Sequence, residues 1–137
     1  MALPTTTEII DDLEFLDDWE QRYQYIIDLG RQLPGLADDL KREEVKVRGC
    51  QSNVWLVSEQ LDDGRLHFKV DSDAVIVQGL LALVLAAYDN KYPSEIRDFN
   101  IDAYFTQLDL ERHISPTRGN GLRAIVATIQ QQATQAQ

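Results

Sequence analysis

Residues 44–88, EVKVRGCQSNVWLVSEQLDDGRLHFKVDSDAVIVQGLLALVLAAY, decide the fold of this 137-residue chain. Residues 44–47, 54–60 and 66–70 alternate between apolar and polar side chains or are rich in strand-forming residues, as strands with one buried face are. The sequence Asp62-Asp63-Gly64 between the last two segments is typical of a hairpin turn. These patterns predict a small antiparallel sheet of three strands.

A helical layer must cover the buried face of such a sheet, and the rest of the chain supplies it. From about residue 74 to Tyr88 the sequence is apolar nearly all round, which is typical of a helix in the middle of a core. Asp71, Ser72 and Asp73 offer N-cap oxygens for that helix. Capping residues and helical spacing predict further helices at residues 7–16, 18–33 (capped by Asp18), 93–98, 101–108 and from Ser115-Pro116 onward. We therefore predict an α+β fold, a three-stranded antiparallel sheet covered by helices, in a single domain at residues 1–137 with a frayed end at about 131–137.

Composition narrows the classes of function. The chain carries 13 Lys and Arg against 23 Asp and Glu, a net charge of −10. A nucleic-acid-binding protein needs a basic face to neutralise phosphates, so nucleic acid and anionic membrane surfaces are not expected partners. The N-terminus lacks the basic start and apolar stretch of a signal peptide, and the apolar segment at 74–88 is shorter than the ~20 residues that span a bilayer. We expect a soluble, cytoplasmic protein.

Cys50 is the main candidate for chemistry. As the single cysteine it excludes an intrachain disulfide and an all-cysteine metal site, and a lone thiol suits a reducing compartment. Gly49 leaves the backbone beside the sulfur uncovered, and Arg48 is a cation that could stabilise a thiolate. A reactive thiol and a small buried hydrophobic residue are both compatible with these local features.

Other polar residues offer fewer indications. His67 alternates within a strand and is expected to be exposed, whereas His113 precedes the Ser115-Pro116 cap and is the histidine that a cysteine hydrolase would require. Arg118 lies in the first turn of the last helix, where a cation opposes the helix dipole, which suggests a functional role. No metal-binding pair of histidines and no glycine-rich phosphate loop occurs in the sequence.

Four blocks in order, residues 22–30, 47–55, 71–80 and 113–122, make the sequence similar to the SufE sulfur-acceptor proteins, which are partners of cysteine desulfurases in iron–sulfur cluster assembly. The resemblance implies a fold like that of the IscU-type scaffolds. It also implies that Cys50 takes the outer sulfur of a desulfurase persulfide, stimulates the desulfurase and passes the sulfur on. Gln51-Ser52 favours the SufE group over a sister group of acceptors that feed other pathways, which stays an alternative.

The resemblance further implies partners and supporting residues. The expected partners are a SufS-like cysteine desulfurase, which carries pyridoxal phosphate, and an iron–sulfur scaffold complex downstream; this chain would itself bind no cofactor and no metal, and it would act with the desulfurase rather than as a stand-alone enzyme. A homodimer is left open. Residues expected to support the loop or contact the partner are Arg48, Gly49, Gln51, Asp73 and Arg118. A second hypothesis is an allosteric activator of a desulfurase in which Cys50 is incidental.

Overall fold

The computed structural model describes residues 3–50, 52–110 and 112–136. Within them the elements are, in chain order, helices α1 (Thr6–Glu14) and α2 (Trp19–Arg31), two single turns of 3-10 helix (Asp38–Leu40 and Glu43–Val45), strands β1 (Val54–Gln60) and β2 (Leu66–Ser72), and helices α3 (Val75–Tyr88), α4 (Pro93–Asp98), α5 (Ile101–Gln107) and α6 (Pro116–Gln135). The predicted α+β fold class is confirmed. None of the helices in these ranges has the length and apolar character needed to cross a membrane.

The sheet is an antiparallel hairpin of β1 and β2. Val54 lies opposite Ser72 at one end and Gln60 opposite Leu66 at the other. The turn between them places Gly64 at a φ of 95°, a conformation that glycine adopts without steric cost. The hairpin therefore forms where the Asp-Asp-Gly sequence predicts it.

The predicted third strand at residues 44–47 is wrong. Among the described residues, this segment contributes one antiparallel bridge, Lys46 opposite Trp55, and the Val47 amide donates to the Val54 carbonyl at 2.8 Å. That contact already buries Val47, while Glu43 and Glu44 remain exposed in a 3-10 turn. Pairing Glu43 and Glu44 with β1 as well would bury no further apolar side chain, and these two residues form a 3-10 turn in place of a strand.

Helix α3 is the centre of the core, as its apolar sequence predicts. Ten of its fourteen residues are buried. It crosses α2 at Gly30 and Gly79, where the two backbones touch: a Cβ on Gly79 would lie 2.5 Å from the Ile26 carbonyl oxygen. This close crossing sets the position of α3 beneath the sheet.

Two helix starts follow the predicted caps. The Asp18 carboxylate accepts from the Gln21 amide at 2.8 Å, and Ser115 Oγ accepts from the Arg118 amide at 3.2 Å. Helix α6 then continues to Gln135 and buries Ala133 completely, so the segment expected to be frayed is helical through residue 135.

Candidate functional site

Cys50 lies in the loop between Val47 and the first residue of β1, and the Lys46–Trp55 bridge joins the two ends of that loop. Its side chain is half-buried, and Sγ–H donates to the Gly121 carbonyl oxygen of α6 at 3.5 Å. Gly121 itself is buried, and a Cβ at that position would stand in van der Waals contact with Sγ, 3.5 Å away. The loop therefore packs its sulfur directly against the backbone of the last helix.

A cavity of about 200 Å³ opens beside the sulfur. Its walls come from the cysteine loop, the start of β1, α3 and the first turns of α6. They combine buried apolar side chains with hydroxyl groups and one guanidinium group: Val54, Val77, Leu80, Leu122 and Ile125, then Ser52, Ser115, Thr117 and Arg118. The cavity lining is thus part apolar and part polar, and among the described residues Arg118 is its one charged member.

Two features shape the cysteine loop. Gly49 has a φ of 92°, a value that a residue with a Cβ rarely adopts. On the other side of Cys50, the Asp73 carboxylate accepts from the Asn53 amide at 3.2 Å and from Asn53 Nδ2 at 2.8 Å. The buried Ser72 hydroxyl donates to the Asn53 carbonyl at 2.7 Å. The loop is consequently fixed at its β1 end by the end of β2.

The environment keeps the thiol protonated. Burial raises the pKa of Cys50 above that of an ordinary thiol, because the charged form loses water contacts. Since the thiolate is the nucleophilic form, the closed loop holds a sulfur of low reactivity.

The structure brings some of the predicted site residues together and leaves others apart. Arg118 lines the cavity beside Cys50 from an exposed position, and its guanidinium has no hydrogen bond or ion pair within the described ranges. Arg48 is exposed and lines a different groove, and no contact between described residues joins it to the sulfur. Gln51 lies outside the described residues.

Neither histidine belongs to the site. The His113 ring stacks on Trp19 with centroids 3.8 Å apart, its carbonyl accepts from the Tyr23 hydroxyl, and it does not line the cavity. His67 was expected to be exposed but is half-buried, with Nδ1 3.0 Å from Asp89 Oδ1. A cysteine–histidine hydrolase therefore has no base at Cys50 among the described residues. In the same ranges, no group of three or more His, Cys, Asp and Glu side chains could hold a metal ion.

Comparison with known proteins assigns the chain that carries this loop and cavity to a family. The sequence profile of SufE, described as an Fe-S metabolism associated domain, matches residues 7–133. The chain belongs to the SufE family. Membership supports a sulfur-transfer role together with a cysteine desulfurase.

Two relatives agree with the assignment to the SufE family, and a solved structure shares the fold. An uncharacterized SufE-like protein from Rhizobium etli is 46% identical over 136 residues, covering 97% of this chain and 92% of the relative. Another, from Rhizobium meliloti, is 43% identical over 129 residues and covers 92% of each chain. The solution structure of a hypothetical protein from Thermus thermophilus superimposes with a TM-score of 0.77 at 19% identity, covering 99% of this chain and 98% of that one. That last likeness concerns the fold alone.

Sequence analysis of this SufE-family chain missed part of the site. Gly121 accepts the thiol hydrogen bond through its backbone, 71 positions along the chain from Cys50, and no side-chain pattern indicates such a contact. Val77 and Leu80 were recognisable as core residues of α3, but their place in the cavity wall depends on the packing of α3 beside α6.

Proposed function

We propose that this protein is a sulfur carrier in which Cys50 accepts the outer sulfur of a persulfide on a pyridoxal-phosphate-dependent cysteine desulfurase and delivers it to iron–sulfur cluster assembly. The observation that carries the proposal is the position of Cys50, the single cysteine of a SufE-family chain, in a loop beside a cavity that adjoins its sulfur. By clearing the persulfide, the carrier also stimulates the desulfurase.

The transfer is a thiol–persulfide exchange. The Cys50 thiolate attacks the outer sulfur of the desulfurase persulfide, a new sulfur–sulfur bond forms on Cys50, and the bond within the desulfurase persulfide breaks. The desulfurase cysteine leaves as a thiolate and takes up the proton that Cys50 released. No external oxidant or reductant is consumed, because the outer sulfur moves between two equivalent thiols.

The proposed transfer requires two states of the loop. In the closed state described above, Sγ contacts Gly121 and the raised pKa of Cys50 keeps the thiol protonated. In-line attack on a partner's persulfide requires Sγ to leave that contact and face outward. After transfer and closure, the cavity offers about 200 Å³ for the outer sulfur, and Val77, Leu80 and Ile125 are among the apolar residues that line it.

The deciding experiment is intact-mass spectrometry of this protein after incubation with a cysteine desulfurase and free cysteine, before and after a reductant. We expect a gain of one or more sulfur atoms that the reductant removes, and no gain in Cys50→Ser. The carrier proposal would give way to an allosteric activator if the wild-type protein gained no sulfur and Cys50→Ser still stimulated the desulfurase.

A further inference from the structure

The outer edge of β1, the edge facing away from β2, presents open backbone groups. The amides of Leu66 and Phe68 in β2 donate away from β1, to the Lys91 carbonyl and to Asp89 Oδ1, each at 2.8 Å. Ser58 lies opposite Phe68, and opposed residues of an antiparallel pair that do not bond each other both point outward. The Ser58 amide and carbonyl therefore face the outer edge, where no described residue bonds them.

A groove of about 430 Å³ runs along this edge. The Lys46–Trp55 bridge covers this edge at the start of β1, and no bridge between described residues covers it at Ser58. The walls of the groove come from the segment before the cysteine loop, from β1 and from α6: Glu44, Val45, Lys46, Val47 and Arg48, then Leu56, Val57 and Ser58, then Thr128 and Gln132. The groove therefore lies between β1, residues 44–48 and α6.

Three side chains that line the groove lack a hydrogen-bond donor or an anion as a partner in the described part of the chain. Gln132 Oε1 is buried and accepts no hydrogen bond in the described part of the chain. Lys46 and Arg48 form no ion pair there, although the chain has 23 acidic residues and Glu44 lines the same groove. An occupant that satisfies these groups brings N–H donors for Gln132 and carboxylates for the two cations.

From these observations we infer that the outer edge of β1 is a docking site for an extended, acidic segment of a partner polypeptide, which adds as a strand with its backbone hydrogen bonds at Ser58. Backbone hydrogen bonds supply binding in this mode, and side-chain charges supply preference. A second copy of this chain fits less well. Two-fold pairing of the same edges would bring two α6 helices to one face of the sheet, and Thr128 and Gln132 of the first α6 already line the groove there. The site is separate from the cavity at Cys50 and does not depend on sulfur chemistry.

The test uses full-length, isotope-labelled protein and a synthetic peptide, acetyl-Glu-Val-Thr-Val-Glu-Val-Thr-amide, titrated to millimolar concentration by NMR. We expect saturable shifts at Ser58 and slower hydrogen exchange of its amide. The matched control is the same peptide methylated at the backbone nitrogens of alternate residues, in both alternating sets, which removes the donors facing β1 without changing the protein. Equal binding of the methylated peptides, or no shift at Ser58 with the acidic peptide, overturns the inference.

Charge reversal tests the preference for an acidic segment. A peptide with lysine in place of both glutamates should bind the wild-type protein roughly three- to tenfold more weakly, the effect of two exposed ion pairs. In the Lys46→Glu, Arg48→Glu double variant the order of the two peptides should reverse. An unchanged order overturns the inference, as does concentration-dependent protection of Ser58 without peptide, which would indicate a second copy. Protection of Ser58 in dilute free protein would overturn it as well, because residues 43–45 would then already cover the edge.

Discussion

A methyl group on Gly79 would force helices α2 and α3 apart. A Cβ built there lies 2.5 Å from the Ile26 carbonyl oxygen and 2.6 Å from Ile26 Cγ2, whereas carbon atoms in good contact stand ~3.5–4 Å from their neighbours. A clash with backbone cannot be relieved by a side-chain rotation, so the cost falls near the upper end of the roughly 1–3 kcal/mol measured for overpacked cores. The better helix propensity of alanine offsets up to about 1 kcal/mol. For Gly79→Ala we expect the free energy of unfolding to fall by about 2 kcal/mol.

Thermal unfolding followed by far-ultraviolet circular dichroism measures this loss. For a chain of this length we expect the Tm of Gly79→Ala to fall by roughly 6–10 °C. Gly119→Ala is the matched control, because Gly119 is also helical and, among the described residues, a Cβ there meets only Ile114 Cδ1, at 4.0 Å. That variant should be neutral or more stable by up to about 1 kcal/mol. Gly79→Ala unfolding at the same temperature as Gly119→Ala would refute the argument from the helix crossing.

Four further predictions concern the cysteine loop and the sheet. Alkylation of Cys50 by iodoacetamide should follow a pKa above that of an ordinary thiol and accelerate in denaturant, because burial raises the pKa; equal rates in folded and unfolded protein would contradict a shielded sulfur. Because the folded state holds the Cys50 proton more tightly than the unfolded state, the wild-type protein should lose stability as pH rises past the ordinary thiol pKa. Cys50→Ser should lose less stability over the same pH range, as measured by urea unfolding. Asp73→Ala removes the acceptor of two Asn53 hydrogen bonds and should speed that alkylation roughly two- to fivefold at fixed pH; an unchanged rate would mean that Asp73 does not hold the loop closed. Burial would raise the pKa of Asp71, but the amides of Leu36 and Ser72 and the Lys41 ammonium outweigh burial and lower the pKa. The free energy of unfolding of Asp71→Asn, measured in urea at neutral pH, should therefore be about 1–3 kcal/mol below that of the wild type. The wild-type advantage should shrink as pH falls through the lowered pKa, and an advantage independent of pH would exclude this charge as its source.

The sequence predicted the helices well because their signals are local. Asp18 and Ser115 cap the helices that they were expected to cap, and the apolar run before Tyr88 is the buried helix α3. Even the glycine at 119 leaves α6 unbroken, because helical spacing of Leu122, Ile125 and Ile129 anchors that helix in the core.

The candidate site was less predictable because most of it is tertiary. The resemblance in the Cys50 block pointed to the reactive sulfur, yet the acceptor of its hydrogen bond is a backbone carbonyl of α6. The four-residue alternation before Arg48 predicted a strand, whereas one bridge is enough to bury Val47. Arg48 and Arg118 looked alike as cations near the site, and only packing shows that Arg118 alone faces the cavity.

The hydrogen bond from Cys50 to the Gly121 carbonyl links the charge of the sulfur to the position of the loop. A thiolate has no hydrogen to donate, and the partial negative charge of the carbonyl oxygen repels it. The proton that keeps the sulfur in its unreactive thiol form thus also makes one of the hydrogen bonds that hold the loop against α6. Losing that proton removes this hydrogen bond and creates the nucleophilic thiolate in the same event, so a shift of Cys50 toward its ionised form also weakens the contact that holds the sulfur against α6.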